Sequence, residues 1–434
     1  MKIVVIGGSS QSTPALIAYL ARQTNLPDLR IHLLGRAPSK LSAVRRAARV
    51  LAEPSGMVIE AVQFLEREIH AALEGANLVL VQIRPGGYAG RVFDETFPLR
   101  YGVCGDEGLG PSGLSAAWRN WPEVAWWLNR INQAAPGAFV VLLTSPTTIL
   151  VMAAEHCFPK LRVVGICELP RTTLLDIFQT LGATEASATF DYFGVNHLGW
   201  FSRISAGTRD LIGEYAAQLG DSKVFPTARQ IVSCQGIPLK YLRLHYDAGE
   251  VLKEQRAARR SRGEILEELG AEAFAVFANG TRREMEAVLK RRPAPWYTHA
   301  VGPLILALTG RVTGIPFFLS VPNRGFLADF LDDDILECAH QVTGEGLTRI
   351  PNQRPIPSNM VALTKALVGF HRLASSAVTS RDPLALKTAL LAHPWTTDAG
   401  SAAEMAREII DFEVVRDRAS SGQKRGEPGE PGRP

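Results

Sequence analysis

The N-terminal part of the chain alternates short apolar runs with longer stretches of helical periodicity. Lys2 to Ile6 is a β-branched run, read as a buried parallel strand. It breaks into the turn Gly7-Gly8-Ser9-Ser10, and Thr13-Pro14 then predicts a helix with Thr13 as N-cap and Pro14 at the first helical position. Further strands are expected over Arg30 to Leu34, Val58 to Phe64, Asn77 to Ile83, Phe139 to Leu143 and Arg162 to Ile166. Helices are expected over Lys40 to Leu51 and from about Ser112 to Gln133. Such alternation predicts an α/β fold with a doubly wound parallel sheet. Ligands in such sheets bind at the carboxyl ends of the strands. Four loops therefore matter together: 7–10, 84–90, 144–148 and 167–170.

After about residue 183 the pattern changes. Ala186 to Phe193 alternates loosely and runs into GVNHLGWF at 194–201. Helical stretches follow around 226–234, 249–259, 264–277, 281–290, 297–310 and 358–380. The expected organisation is a Rossmann-like, nucleotide-binding domain over 1–185 and a mixed α+β substrate and metal domain over 186–415. A polar, Gly/Pro-rich tail over 416–434 is read as disordered.

Composition narrows this picture only slightly. A chain of 434 residues is long enough for two domains. Its formal charge of +4 gives no reason to expect a nucleic-acid partner. No apolar stretch is long enough to suggest a membrane span, and the first ten residues do not read as a signal peptide. The five cysteines are scattered and odd in number, which argues against a disulfide framework and for a cytoplasmic protein.

The turn at 7–14 lacks the G-x-G-x-x-G spacing. Its small residues (Gly7, Gly8, Ser9, Ser10) and Thr13 still suit a pyrophosphate at a helix N-terminus. A plain glycine turn in a nucleotide-free fold is the other reading. NAD binders usually place an acid after the second strand, to meet the ribose 2′-hydroxyl. Here the segment is Gly35-Arg36-Ala37-Pro38-Ser39-Lys40, with no acid. Arg36, with Ser39 or Lys40, suits a 2′-phosphate, so NADP is expected to be accepted at least as well as NAD. A solvated basic loop is the alternative.

Several motifs together resemble glycoside hydrolase family 4, whose members are NAD- and divalent-metal-dependent. The family is a known exception to two-carboxylate glycoside hydrolysis. The motifs are GGSSQSTP at 7–14, QIRPGGYAGRVFDETFPLRYGVCGDEGLGPSG at 82–113, CELP at 167–170, NHLGW at 196–200, PLKYLRLHYD at 238–247 and WYTHA at 296–300. The resemblance implies a lactate/malate dehydrogenase-like nucleotide domain. It also implies a divalent metal, usually Mn²⁺, on Cys167 and His197, leaving positions open for substrate and water. Cys167 is otherwise an ordinary buried apolar residue.

The activity implied is redox-assisted elimination. The cofactor removes hydride from C3, a tyrosine takes the C2 proton, the glycosidic oxygen leaves C1, water adds and the ketone is reduced again. The resemblance gives the tyrosine's role to Tyr297 and the leaving-group acid's to Glu168. Arg84 and Arg243 are candidates for an anionic group on the substrate, with Glu107, Ser145 and Asn196 as further substrate contacts. Each arginine can also be a structural ion pair, and Tyr297 a buried tyrosine bonded through its hydroxyl. The substrate expected is a small 6-phospho-glycoside or another acidic glycoside, and the assembly a homodimer or homotetramer. Departures occur at Ser145, where the family carries Asn, at Asp106, at Glu168 and at Thr147-Thr148. Two other readings remain open from residues alone: an NAD(P)-dependent 2-hydroxyacid dehydrogenase, and a catalytically impaired nucleotide-binding homologue.

Overall fold

The computed structural model describes residues 1–23, 28–62, 66–312, 314–344, 346–396 and 398–424. Six parallel strands form where short apolar runs stand in the sequence. They are β1 (Lys2–Ile6), β2 (Arg30–Leu34), β3 (Val58–Val62), β4 (Leu78–Val81), β5 (Phe139–Leu142) and β6 (Arg162–Cys167). The third was expected to reach Phe64, and residues 63 and 64 lie outside the described residues. Their spatial order is β3-β2-β1-β4-β5-β6, so the order reverses beside β1 and opens the ligand crevice between β1 and β4. Both faces are covered, which explains why the central strands β1, β4 and β5 are apolar apart from Lys2 at the start of β1.

The same sheet continues into the second half of the chain. The remaining strands are β7 (Ala188–Val195), β8 (Leu198–Ala206), β9 (Arg209–Asp210), β10 (Ile237–Pro238), β11 (Phe317–Pro322), β12 (Ile335–Thr343) and β13 (Gly346–Arg349). Antiparallel β11 and β12 insert between β6 and β7. Sequence reading found no strand at 317–322 or 335–343. The second carries buried Glu337 and His340, which interrupt its apolar pattern.

Helices 262–279 and 282–291 return to the N-terminal half and pack on helix 38–52. The chain beyond them brings Arg292 to Ser12 and Tyr297 to Gln82 beside the β1 turn, although these residues lie far from it in sequence. The last helix, Ala399–Lys424, runs beyond Arg416, where the disordered tail was expected to begin. That stretch is polar but free of proline, so nothing in it forbids a helix; residues 425–434 lie outside the described residues. No helix among the described residues is long and apolar enough to cross a membrane.

Candidate functional site

The β1 turn is built around close backbone approach. Gly7 holds φ +86°, and an added Cβ there would lie 2.7 Å from the Gln82 carbonyl oxygen; at Gly8 it would lie 2.8 Å from Leu33 Cα. The amides of both glycines donate to the Leu34 carbonyl, at 3.0 and 2.7 Å. These glycines therefore supply space and fasten β1 to β2, while their N–H groups are already used. The Ser10 amide donates to Gly7 O at 3.0 Å, and Ser9 packs against Gly35.

Thr13 is not the N-cap. Ser12 takes that position with helical φ and ψ, and Thr13 is the first helical residue. The Thr13 hydroxyl is turned inward, where it accepts from Gln82 Nε2 at 2.9 Å. Gln82 also donates to the Gly7 carbonyl at 3.2 Å and accepts from the Tyr297 hydroxyl. Tyr297 is thus a buried tyrosine beneath the β1 turn, with its phenol pushed up to about 12 by burial. Arg36 is exposed at the end of β2, with Glu123 3.5 Å away.

The second cluster lies at the carboxyl end of β6. Cys167 is its last residue, and the thiol accepts from the Leu169 amide at 3.3 Å. Burial pushes this thiol well up, and Glu168 and Glu337 push the same way. Glu168 Oε2 lies 4.0 Å from the sulfur, and burial raises its carboxyl pKa. His197 occupies the two-residue turn between β7 and β8 with φ +68°, a left-handed conformation unusual outside glycine. Its pKa is lowered to about 4, first by burial and then by Lys240. Its Nδ1 is buried without a hydrogen-bond partner.

Gly108 shows what surrounds that nitrogen. A Cβ added there would lie 2.7 Å from Ser145 Oγ, 3.5 Å from Asp106 Oδ1 and 3.7 Å from His197 Nδ1. Ser145, Asp106 and His197 therefore border one space beside Gly108. Asp106, which accepts from the Gly108 amide at 2.9 Å, is pushed up to about 7 by burial. Asn196 faces the other way, donating to Glu337 Oε2 at 3.0 Å. Glu337 also accepts from the Tyr192 hydroxyl at 2.6 Å, and burial pushes it to about 7. Glu337 thus anchors the turn that carries His197, a role hidden from sequence because it sits on the unrecognised strand β12.

The tyrosine of this cluster is Tyr241, not Tyr297. Its ring stacks on His197 with centroids 4.6 Å apart and planes inclined by 16°. Burial, then Asp106, Glu107, Cys167 and Glu168, push its phenol up. The motif PLKYLRLHYD contains this residue, but sequence reading gave the tyrosine role to WYTHA instead. Lys240, its neighbour, is the cation that acts on Cys167, Glu168 and His197.

Arg84 pairs with Glu107, which Arg91 also holds at 2.9 Å. Burial would raise the Glu107 pKa, but the two arginines outweigh it and hold the carboxylate low. Arg292 donates to Ser12 Oγ, keeps its Nε buried without a partner, and feels the charges of Arg84, Arg91 and Arg262. This arginine group was only partly seen from sequence. Arg243 stands apart from it, with its guanidinium bonded to Glu254 at 2.6 and 2.9 Å. It was a candidate for the substrate's anionic group, but the structure uses it in an ion pair.

Whether Cys167 and His197 suit a metal can be judged from their surroundings. Among the described residues no group of three or more His, Cys, Asp or Glu side chains is arranged to hold an ion. A site here would rest on two protein ligands. An orphaned, neutral imidazole nitrogen and a thiol that face the same tyrosine fit a divalent ion with open coordination positions.

Comparison with known proteins identifies the family. Residues 2–183 match the family 4 glycosyl hydrolase model, and residues 192–396 match the family 4 glycosyl hydrolase C-terminal domain. A Bacillus subtilis protein named "Probable 6-phospho-beta-glucosidase" is 26% identical, over 90% of this chain and 91% of its own. A 6-phospho-beta-glucosidase of Thermotoga maritima is 25% identical, over 95% and 98%. A solved structure of the Thermotoga maritima 6-phospho-beta glucosidase with manganese, NAD⁺ and glucose-6-phosphate superposes with a TM-score of 0.85. It is 22% identical and covers 96% of this chain and 99% of that one. With both halves matched and the β6 cluster assembled, the chain belongs to the family 4 glycosyl hydrolases and is a glycoside hydrolase.

Proposed function

We propose that this enzyme cleaves a 6-phospho-glycoside, or another acidic glycoside, by redox elimination. A nicotinamide dinucleotide would lie over the β1–β4 crevice and Mn²⁺ on Cys167 and His197. The observation that carries this is the buried, unpartnered Nδ1 of His197, with Cys167 and Glu168 grouped beside the same tyrosine. The 6-phosphate rests on the names of the relatives above. When bound, the dinucleotide would supply a hydride acceptor for C3 and the cation a Lewis acid for the carbonyl oxygen.

The chain's own groups divide the remaining work. Tyr241, stacked on His197, is placed to take the C2 proton. Glu168 keeps its proton more readily than a free carboxyl, as a leaving-group acid requires. Asp106 is a second carboxyl in the pocket able to hold a proton near neutrality. Ser145 offers a hydroxyl to the sugar where its oxygen crowds Gly108. Arg84, Arg91, Arg262 and Arg292 form the basic group that would receive a phosphate or carboxylate, and Arg292 brings an unused donor. A cytoplasmic location fits the five free cysteines. A homodimer or homotetramer is the assembly that the family resemblance implies.

The test is a panel of aryl α- and β-glycosides, with and without 6-phosphate, assayed with Mn²⁺ and a dinucleotide under reducing conditions in D₂O. Cleavage with deuterium at C2 of the product and no net cofactor reduction is the expected result. Net reduction without cleavage would point to a dehydrogenase. Cleavage without dinucleotide or metal would overturn the mechanism.

A further inference from the structure

The end of β2 is built for a phosphate where a carboxylate would ordinarily meet a ribose. In this strand order the adenosine half of a dinucleotide lies over β1 and β2, and the residue after β2 faces its 2′ position. The structure fixes that residue closely. Leu34 ends β2, and its carbonyl receives the amides of Gly7 and Gly8. Gly35 follows with no room for a side chain, because a Cβ there would lie 2.7 Å from both Cβ and Oγ of Ser9. The first side chain beyond this contact is Arg36.

The charge pattern there is one-sided. Residues 35–52 contain Arg36, Lys40, Arg45, Arg46 and Arg49 and no carboxylate. The Arg36 side chain is 63% exposed, and its ion-pair partner Glu123 is 3.5 Å away on a different helix. Ser39 and Lys40, one helical turn on, are also exposed. An NAD ribose would find no acceptor for its 2′-hydroxyl among these side chains, apart from the Ser39 oxygen. A 2′-phosphate carries close to two negative charges and three acceptor oxygens, so it competes well against one carboxylate at that distance. A guanidinium binds it in a fork, which a lysine does not.

We infer that the dinucleotide site of this glycosidase prefers a 2′-phosphorylated nicotinamide dinucleotide, NADP, with Arg36 as the residue that reads the phosphate. The inference rests on the dinucleotide site proposed above and specifies which cofactor class it takes. Equilibrium titration of the full chain with NADP⁺ and NAD⁺ separates the two ideas, using the native protein, Arg36→Ala and Arg36→Asp. The native protein is expected to bind NADP⁺ about tenfold or more tighter. Arg36→Ala removes the preference and Arg36→Asp reverses it towards NAD⁺. Tighter NAD⁺ binding by the native protein, or an NADP⁺ affinity unchanged in Arg36→Ala, overturns the inference and leaves the dinucleotide site standing. Binding of neither nucleotide overturns both.

Discussion

Tyr241 lies flat on His197, 4.6 Å between ring centroids, at the carboxyl end of the strand that carries Cys167. Tyr297, the tyrosine of the motif WYTHA, gives its hydroxyl to Gln82 beneath the β1 turn. The two make different predictions. Tyr241→Phe should fold normally and lower kcat by about 10²-fold or more, as expected when a proton-transfer group is lost. Tyr297→Phe should lose one buried hydrogen bond, on the order of 1 kcal/mol of stability, and disturb dinucleotide binding more than kcat. Steady-state kinetics with a thermal melt on each variant decides the matter. A Tyr297→Phe variant with the larger kcat defect would reverse the assignment.

A methyl group on Gly108 would have to displace the Ser145 hydroxyl. Gly108→Ala would drive a carbon against Ser145 Oγ and towards His197 Nδ1. Loss of most activity is expected with little change in fold, and a reduced affinity for Mn²⁺ should be measurable by the spin resonance signal of the free ion. Wild-type kinetics in this variant would mean that the site tolerates a shifted Ser145.

The arginines should separate by partner. Arg84→Ala leaves Glu107 with one cation fewer and removes a donor from the basic group, so KM for a 6-phosphorylated substrate should rise at least tenfold. Arg243→Ala breaks a surface pair with Glu254, an exposed ion pair that solvent screening leaves weak. Its KM should stay within about twofold of the native value. Kinetics of both variants on phosphorylated and unphosphorylated substrates would show whether the basic group or Arg243 reads the anion.

Acid should destabilise the protein through His371 and His393. Both are buried and lowered from 6.5 to about 3, chiefly by burial. They are neutral in the fold and take up protons on unfolding once the pH falls below 6.5. Their contribution is therefore complete above pH 6.5 and is lost as pH falls towards 3. Each costs about 1.4 kcal/mol per pH unit across that window. Denaturant midpoints between pH 7 and 4 should fall, and less steeply in His371→Gln. Equal slopes in the two proteins would show that His371 is not titrating in this way.

The parallel half of the sheet could be read from sequence because each of its strands is a local event. Lys2–Ile6 and Arg30–Leu34 are short, rich in Ile, Val and Leu, and followed by turn residues, and the structure keeps their limits. Cys167, Glu168 and His197 were also legible, because they stand in local motifs at strand ends. Tertiary structure alone decided which distant groups meet them. Glu337 lies on a strand that sequence reading missed, since a buried carboxylate looks polar until Tyr192 and Asn196 are seen to satisfy it. Tyr241 and Tyr297 both stand in motifs, and only their placement separates a pocket phenol from a structural one. Arg292 reaches Ser12 across 280 residues. Local periodicity is fixed by backbone geometry over a few residues, whereas pairing across the sheet depends on which faces are buried together, and that information is spread over the whole chain.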